Sequence, residues 1–386
     1  MISASSRCIG CDSERLRVLD SSAIPCGVAS DSKIWPRSGT YVICEDCGHT
    51  QKILDDAWHA DVSAIYGGYE MYYLAGGGEQ QVFDGQQPMP RTKRLIERLA
   101  QCVSLPARGT MLDVGCAVGS TLRTFGSVFP EWALSGFDIT THSESLVRSI
   151  PGVTNFYTGS LENIDRQFDL ITMLFVVEHL PDPRKVLREF QRLIKPNGVI
   201  WIHTSDFWAN PFDLPVVDHS SHFMVDTLAE LVERCGWTVI DRNDNWNIKE
   251  TGVVAKLSSG RMNSTVDEVK KAQRLTGSPL RFHWLADVVQ HSKATARDGK
   301  IAILGTSIAA TWLANIIPDK LAAFVDEDPQ RIGKTLLGRP VVKIDDVPAN
   351  LPVYLAFPTP QAERIRERLA KRHPHVNLVV PPPLPT

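Results

Sequence analysis

From Gly109 to about Leu257, short apolar runs alternate with amphipathic stretches, the pattern of a mainly parallel α/β sheet. The runs read TMLDVG, WALSGFDI, FDLITMLFVV, GVIWIHTS and WTVIDR, with ETGVVAKL closing the set. Between them lie stretches of helical period. After Asp182, a suitable N-cap, and Pro183, suited to a first helical position, Val186, Leu187, Phe190, Leu193 and Ile194 form one apolar face. Thr227–Cys235 repeats the pattern with Leu228, Leu231 and Val232, and Gly236 ends it. A second strand–helix alternation starts at Lys300 with IAILG, continues through AAFVD and PVYLAF, and includes a helix from Gln361.

Around these two α/β runs the pattern changes. Residues 1–60 hold two cysteine pairs and little periodicity. Residues 61–105 begin with the aromatic, glycine-rich IYGGYEMYYLAGGG and end in an amphipathic helix near Arg91–Val103. Residues 259–298 read as a helical connector. The expected division is therefore a cysteine module (1–60), a lead-in and possible substrate lid (61–105), the principal α/β domain (106–258), the connector, and a smaller α/β domain over 299–386.

Composition removes several functional classes. A net charge of −3 argues against a nucleic-acid or anionic-membrane surface, which needs a clustered positive excess. No apolar run reaches the roughly 20 residues of a membrane span, and MISASSRCIGCDSE offers no secretory apolar core, so a cytoplasmic location is expected. In a reducing compartment, CxxC pairs read as metal ligands rather than a disulfide frame. Cys8-x2-Cys11 and Cys44-x2-Cys47 each set two thiolates on a tight turn, and the two turns together complete a tetrahedral site with no open position. A structural Zn2+ is the expectation; His49, beside the second pair, is not needed as a ligand.

Leu112-Asp113-Val114-Gly115-Cys116-Ala117-Val118-Gly119 lies between a predicted strand and helix, where glycines let a ligand approach the backbone. About 20 residues on, Gly136-Phe137-Asp138 ends the next strand with an acid able to accept both ribose hydroxyls. The spacing does not fit the GxGxxG fingerprint of a NAD-dependent dehydrogenase. Together with FDLITMLFVVEHLPDP and LIKPNGVIWIHT, these motifs resemble the class I S-adenosylmethionine-dependent methyltransferases over Gly109–Leu257. The resemblance implies a Rossmann-like sheet, with Asp113, Gly115, Cys116 and Gly119 around the methionine part of S-adenosylmethionine and Asp138 on its ribose. An acid is usual on the adenine amino group; here Ser160 stands in its place, with Glu162 close by.

The order of cysteine module, methyltransferase core and smaller α/β domain resembles the nucleotide-sugar C-methyltransferases of deoxysugar biosynthesis. AFVDEDP (Ala323–Pro329) and GKTLLGRPV (Gly333–Val341) carry the C-terminal part of that resemblance. It implies a nucleotide-linked sugar acceptor, proton abstraction beside a ketone, and attack of the enolate on the sulfonium methyl. The implied catalytic candidates are His179 after Glu178, Asp218-His219 in VVDHSSHF with His222 nearby, and tyrosines of the lead-in: Tyr66, Tyr69, Tyr72 and Tyr73. His219 or His179 is the expected base, oriented by Asp218. Val216 and Val217 depart from the family's loop, which carries a tyrosine, and aspartate replaces its glutamate. Those departures leave an O-methyltransferase of a sugar hydroxyl as the alternative. A zinc-ribbon binding protein with a vestigial methyltransferase fold is the alternative of another class. No surface points to an oligomeric state.

Overall fold

β-branched and aromatic residues fill every strand of the central sheet, while the intervening segments keep helical period. The computed structural model describes residues 7–69, 81–84, 87–244, 246–260, 266–297 and 299–385. Tyr72 and Tyr73 lie outside them.

The N-terminal module contains β1 (Leu16–Val18), β2 (Gly27–Val28), β3 (Ile34–Trp35), β4 (Tyr41–Cys44) and β5 (Thr50–Lys52). Helix α1 (Asp56–Gly67) follows; Asp55 caps it, accepting from Trp58 N at 2.8 Å. A hairpin of β6 (Gln81–Asp84) and β7 (Gln87–Pro90) leads into α2 (Arg91–Cys102).

The central sheet combines β8 (Gly109–Val114), β9 (Trp132–Asp138), β10 (Val153–Thr158), β11 (Phe168–Leu174), β12 (Ile194–Ser205), β14 (Trp237–Asn243) and β15 (Glu250–Leu257). Its order is β10-β9-β8-β11-β12-β15-β14, parallel from β10 to β12, with β15 antiparallel to both neighbours. Strand β10 was not among the apolar runs. Its sequence VTNFYT is broken by Thr154, Asn155 and Thr158, and only Phe156 is buried, as befits an edge strand.

Helices α3 (Ser120–Val128), α4 (Glu144–Arg148), α5 (Pro183–Leu193) and α6 (Val225–Arg234) cover the sheet. Asp182 caps α5 through Lys185 N at 3.2 Å. Two apolar layers result: Leu187, Phe190, Leu228 and Trp237 on one face, Leu95, Phe125, Trp132 and Trp201 on the other.

The short strand β13 (Ser221–His222) does not join the central sheet. It pairs antiparallel with β5, making the module's sheet β1-β4-β5-β13. The connector is one 29-residue helix, α7 (Glu268–Ala296). The C-terminal α/β part contains β16 (Ile301–Leu304), α8 (Ile308–Ile316), β17 (Leu321–Val325), β18 (Thr335–Leu336), β19 (Arg339–Val342), β20 (Val353–Leu355), α9 (Thr359–Arg372) and β21 (Leu378–Val379). Its sheet runs β18-β19-β17-β16-β20-β21, antiparallel only at β18–β19.

One apolar core runs through three of these parts. Tyr41 and Ile43 of the module, Phe282 and Trp284 of α7, and Trp312 of α8 converge on Phe212 and Leu214. Burying aromatics of this size dominates packing energetics. The cysteine module, the 206–223 segment and the C-terminal sheet are thus held together around one face of the central domain. Among the described residues, no helix is long and apolar enough to cross a membrane.

Candidate active site

Each predicted cofactor residue falls at the carboxyl end of a central strand, the edge where parallel α/β sheets bind ligands. Asp113 is the penultimate residue of β8 and buried. It accepts from Thr172 Oγ1 at 2.6 Å, and burial pushes its carboxyl up to about 7 against the Thr172 and Thr121 hydrogen bonds. The chain then turns sharply. Gly115 has φ +77° and Gly119 φ +78°; a Cβ would lie 2.3 Å from Val176 Cγ2 at the first and 2.4 Å from Ile150 Cδ1 at the second. Only glycine meets both demands, the left-handed backbone and the close approach. Gly115 N and Cys116 N donate to Phe137 O at 2.8 and 3.0 Å, and Ala117 N donates to Asp138 Oδ2 at 3.0 Å. The loop is therefore fastened to the end of β9, with Asp138 at its rim. Ser160 caps the 3-10 turn Leu161–Asn163, accepting from Glu162 N at 3.3 Å, and Glu162 pairs with Lys185 at 3.1 Å.

On the other side of β11, the chain leaves the sheet through Phe175, which has φ +57°, and a single turn carrying Glu178 and His179. The 206–223 segment folds over this turn. Ser220 N and Oγ donate to Glu178 O at 2.7 and 3.0 Å, and Ser220 Oγ also donates to Leu180 O at 2.8 Å. Glu178, His179, His219, Asp218 and His222 are brought together here, as are Tyr66 and Tyr69. The rings of His179 and His219 meet edge to face at 4.7 Å.

Of the two histidines expected as Asp218's partner, it is His179 that Asp218 contacts. Asp218 Oδ2 lies 3.3 Å from His179 Nδ1, and Asp218 O lies 3.1 Å from the same nitrogen. Tyr66 Oη is also 3.1 Å from it. Burial alone would lower the imidazole's pKa, but the Asp218 hydrogen bond and charge, with Glu178, raise it to about 9. At neutral pH His179 is an imidazolium. Asp218 in turn accepts from Ser30 N at 2.9 Å and Ser30 Oγ at 2.5 Å; Ser30 Oγ sits 3.3 Å from Tyr69 Oη. His179 and Ser30 hold the Asp218 carboxyl well below the usual range despite its burial.

His219 lies against Asp213, a residue sequence reasoning did not single out. Its Nδ1 is 3.0 Å from Asp213 Oδ1, while His222 Nδ1 lies 2.7 Å from Oδ2. The two histidines keep the Asp213 carboxyl ionised though burial opposes it. Burial pulls His222 down to about 4 against Asp213, so it is neutral. The signal for Asp213 was its position six residues before His219 in a polar-interrupted apolar stretch, which carries no catalytic pattern by itself. Ser30 likewise carries no catalytic pattern in the sequence.

A cleft of about 200 Å3 opens above His219, with Asp213, Phe175 and Glu250 from the central domain and Ser307 and Arg331 from the C-terminal part on its walls. Arg91 and Lys249 also border it. The carboxyl edges of both sheets thus face one cavity.

Cys8, Cys11, Cys44 and Cys47 come together in the module, with all four sulfurs within 4.8 Å of one another and none in a disulfide. Cys8–Cys47 and Cys11–Cys44 sulfurs are 3.6 Å apart. Four thiolates bound at about 2.3 Å to one tetrahedral ion stand about 3.8 Å apart, so this donor set fits zinc. His49 is outside it: its Nε2 lies 3.2 Å from Ser221 Oγ, and burial lowers its pKa to about 3.

Comparison with known proteins agrees with this geometry. Residues 86–242 match the family model described as a methyltransferase domain. Ubiquinone biosynthesis O-methyltransferase of Xanthomonas oryzae is 29% identical over 124 residues, 29% of this chain and 49% of that protein. The enzyme of the same name from Pseudomonas paraeruginosa is 44% identical over 43 residues, 11% of this chain and 18% of that one. The chain thus spans about half the length, or less, of these curated relatives. A solved S-adenosylmethionine-dependent methyltransferase from Clostridium acetobutylicum aligns over 53% of this chain and 99% of its own, with 12% identity and a TM-score of 0.36. With the matched motifs lying on the glycine loop and the β9 acid just described, residues 86–242 are a class I S-adenosylmethionine-dependent methyltransferase domain.

Proposed function

We propose that this protein transfers the methyl group of S-adenosylmethionine to carbon in a nucleotide-linked keto-deoxysugar. The observation that carries the reading is His219: a histidine 3.0 Å from a buried aspartate, lining a cleft that Arg91, Lys249 and Arg331 also border. The same cleft is lined by Asp31, Asp213 and Glu250, and this mixture of charged and polar groups suits a hydroxyl-rich acceptor such as a sugar. The carboxyl edge of the C-terminal sheet is where its nucleotide part would lie.

Bound S-adenosylmethionine supplies an electrophilic methyl on its sulfonium. Gly115–Gly119 and Asp138 would hold that cofactor at the carboxyl end of β8 and β9. His219, its Nδ1 lying 3.0 Å from Asp213 Oδ1, takes the proton from the carbon beside the ketone through Nε2. The C–H electron pair becomes the enolate. His179, an imidazolium beside it, stabilises the negative charge that develops. The cofactor would supply the methyl to the enolate carbon, its sulfur–methyl bond breaking to release S-adenosylhomocysteine. Cys8, Cys11, Cys44 and Cys47 hold a structural zinc ion with no open coordination position.

O-methylation is the second reading, favoured by the names of the curated relatives. There His219 would accept a hydroxyl proton instead. Deuterium exchange separates the two. Incubating the protein with S-adenosylhomocysteine and keto-deoxysugar nucleotides in heavy water should label the carbon beside the ketone, and His219→Asn should abolish the label. A protein that binds S-adenosylhomocysteine but labels none of these acceptors rules out C-methylation of them.

A further inference from the structure

The segment that carries Asp213, Asp218, His219 and His222 belongs to the methyltransferase half of the chain, yet its last residues form β13, an edge strand of the cysteine module's sheet. Lys52, at the end of β5, is wholly buried where the two meet. Its ammonium donates to Val216 O and, at 3.1 Å, to Val217 O, the two carbonyls immediately before Asp218. Its backbone N donates to Ser220 O at 2.9 Å, just after His219. Main chain and side chain of one residue therefore grip the Asp218-His219 dipeptide from both sides.

We propose that Lys52 is a positioning residue for methyl transfer, the point through which the four-cysteine module sets the Asp218–His219 loop over the cofactor site. The loop's chemical role in this statement rests on the function proposed above. A strand residue needed only for packing would be aliphatic, like Val42 and Ile43 on the neighbouring β4, because burying an ammonium is costly. Here the ammonium's donors serve carbonyls of an irregular loop that a sheet cannot pair. Its neighbours extend the same grip: Tyr41 Oη donates to Leu214 O at 2.5 Å, and Trp58 Nε1 donates to Val217 O at 3.0 Å. The route back to the metal-binding turn is short. Cys47 lies five residues before Lys52, and His49 reaches Ser221 Oγ across the β5–β13 pair.

The test is Lys52→Met in the full chain, with Lys52→Gln as a second variant. Three measurements apply, and the first two need no acceptor. Amide exchange over residues 213–222 should accelerate by at least about tenfold, while β8–β11 stay protected. Affinity for S-adenosylhomocysteine, by calorimetry, should stay within about twofold, because the loop Gly115–Gly119 does not touch Lys52. With an acceptor that wild type methylates, kcat should fall at least about tenfold with the KM for S-adenosylmethionine unchanged. Wild-type exchange over 213–222, acceleration spread evenly through β8–β11, or failure of both variants to fold would each overturn the proposal. A failure to find any acceptor would instead count against the proposed function, leaving the exchange and affinity results to decide on Lys52.

Discussion

Asp218→Asn isolates the electrostatics of the active site. In the native protein His179 is held as an imidazolium with a pKa near 9 against an ordinary 6.5, chiefly by Asp218 against its burial. A difference of that size corresponds to roughly 3 kcal/mol of preference for the charged ring. Asparagine keeps the shape and removes the charge. The ring then keeps the desolvation that lowers its pKa and loses the partner that raised it, so its titration should fall to 6.5 or below, a shift of at least about two units. The assay is NMR of the ring Cε1–H signals in histidine-labelled protein. Of the 11 histidines, one should titrate near 9 in wild type and be absent from that range in the variant.

Stability should follow with a definite sign. A pKa raised on folding contributes stability that is complete below pH 6.5 and lost as pH rises through 9. The wild-type advantage over Asp218→Asn should therefore be greatest near pH 6, at roughly 3 kcal/mol, and shrink toward pH 10. Asp218 stays ionised across that window, so its own depressed pKa adds no slope. The lost Ser30 hydrogen bonds add a constant offset. If no histidine titrates above about 8 in wild type, or Asp218→Asn leaves the high one in place, the ion-pair reasoning is wrong.

Cys44→Ser should lower zinc content, measured by atomic emission, together with folded yield, because the metal's binding energy is folding energy in such a site; a normally folded, metal-free variant would refute the zinc assignment. Asp138→Ala should weaken S-adenosylmethionine binding by about tenfold or more in calorimetry while the protein keeps its melting temperature within a few degrees, since Asp138 secures Ala117 N and lies at the rim of the loop. Unchanged affinity would remove Asp138 from the cofactor site.

The central sheet and the glycine loop were legible because local chemistry dictates them. The loop at Gly115 and Gly119 needs residues without Cβ, and Asp138 must follow a strand, so spacing alone locates the cofactor end. The clustering of the four cysteines was legible for the same reason: each pair is a turn, and one tetrahedral site would draw on two turns. Strand β10 escaped notice because this edge strand, VTNFYT, is broken by polar residues and buries only Phe156, leaving no apolar run.

The acid–base pairing was illegible for a different physical reason. Asp218 precedes His219 in sequence, but the two sit at a turn before β13, where the group each one faces is set by tertiary contacts and not by spacing. That geometry sends Asp218 toward His179 and Ser30 while His219 turns to Asp213. The departure of Val216 and Val217 from a polar loop has a matching explanation. Both are buried, with their carbonyls taken by Lys52 and Trp58, so this loop spends two positions on attachment to the cysteine module where a polar side chain could have faced the cleft. The chemistry left to the cleft then concentrates on His219, which makes Asp213, and not Asp218, the carboxylate whose removal should act on the base itself.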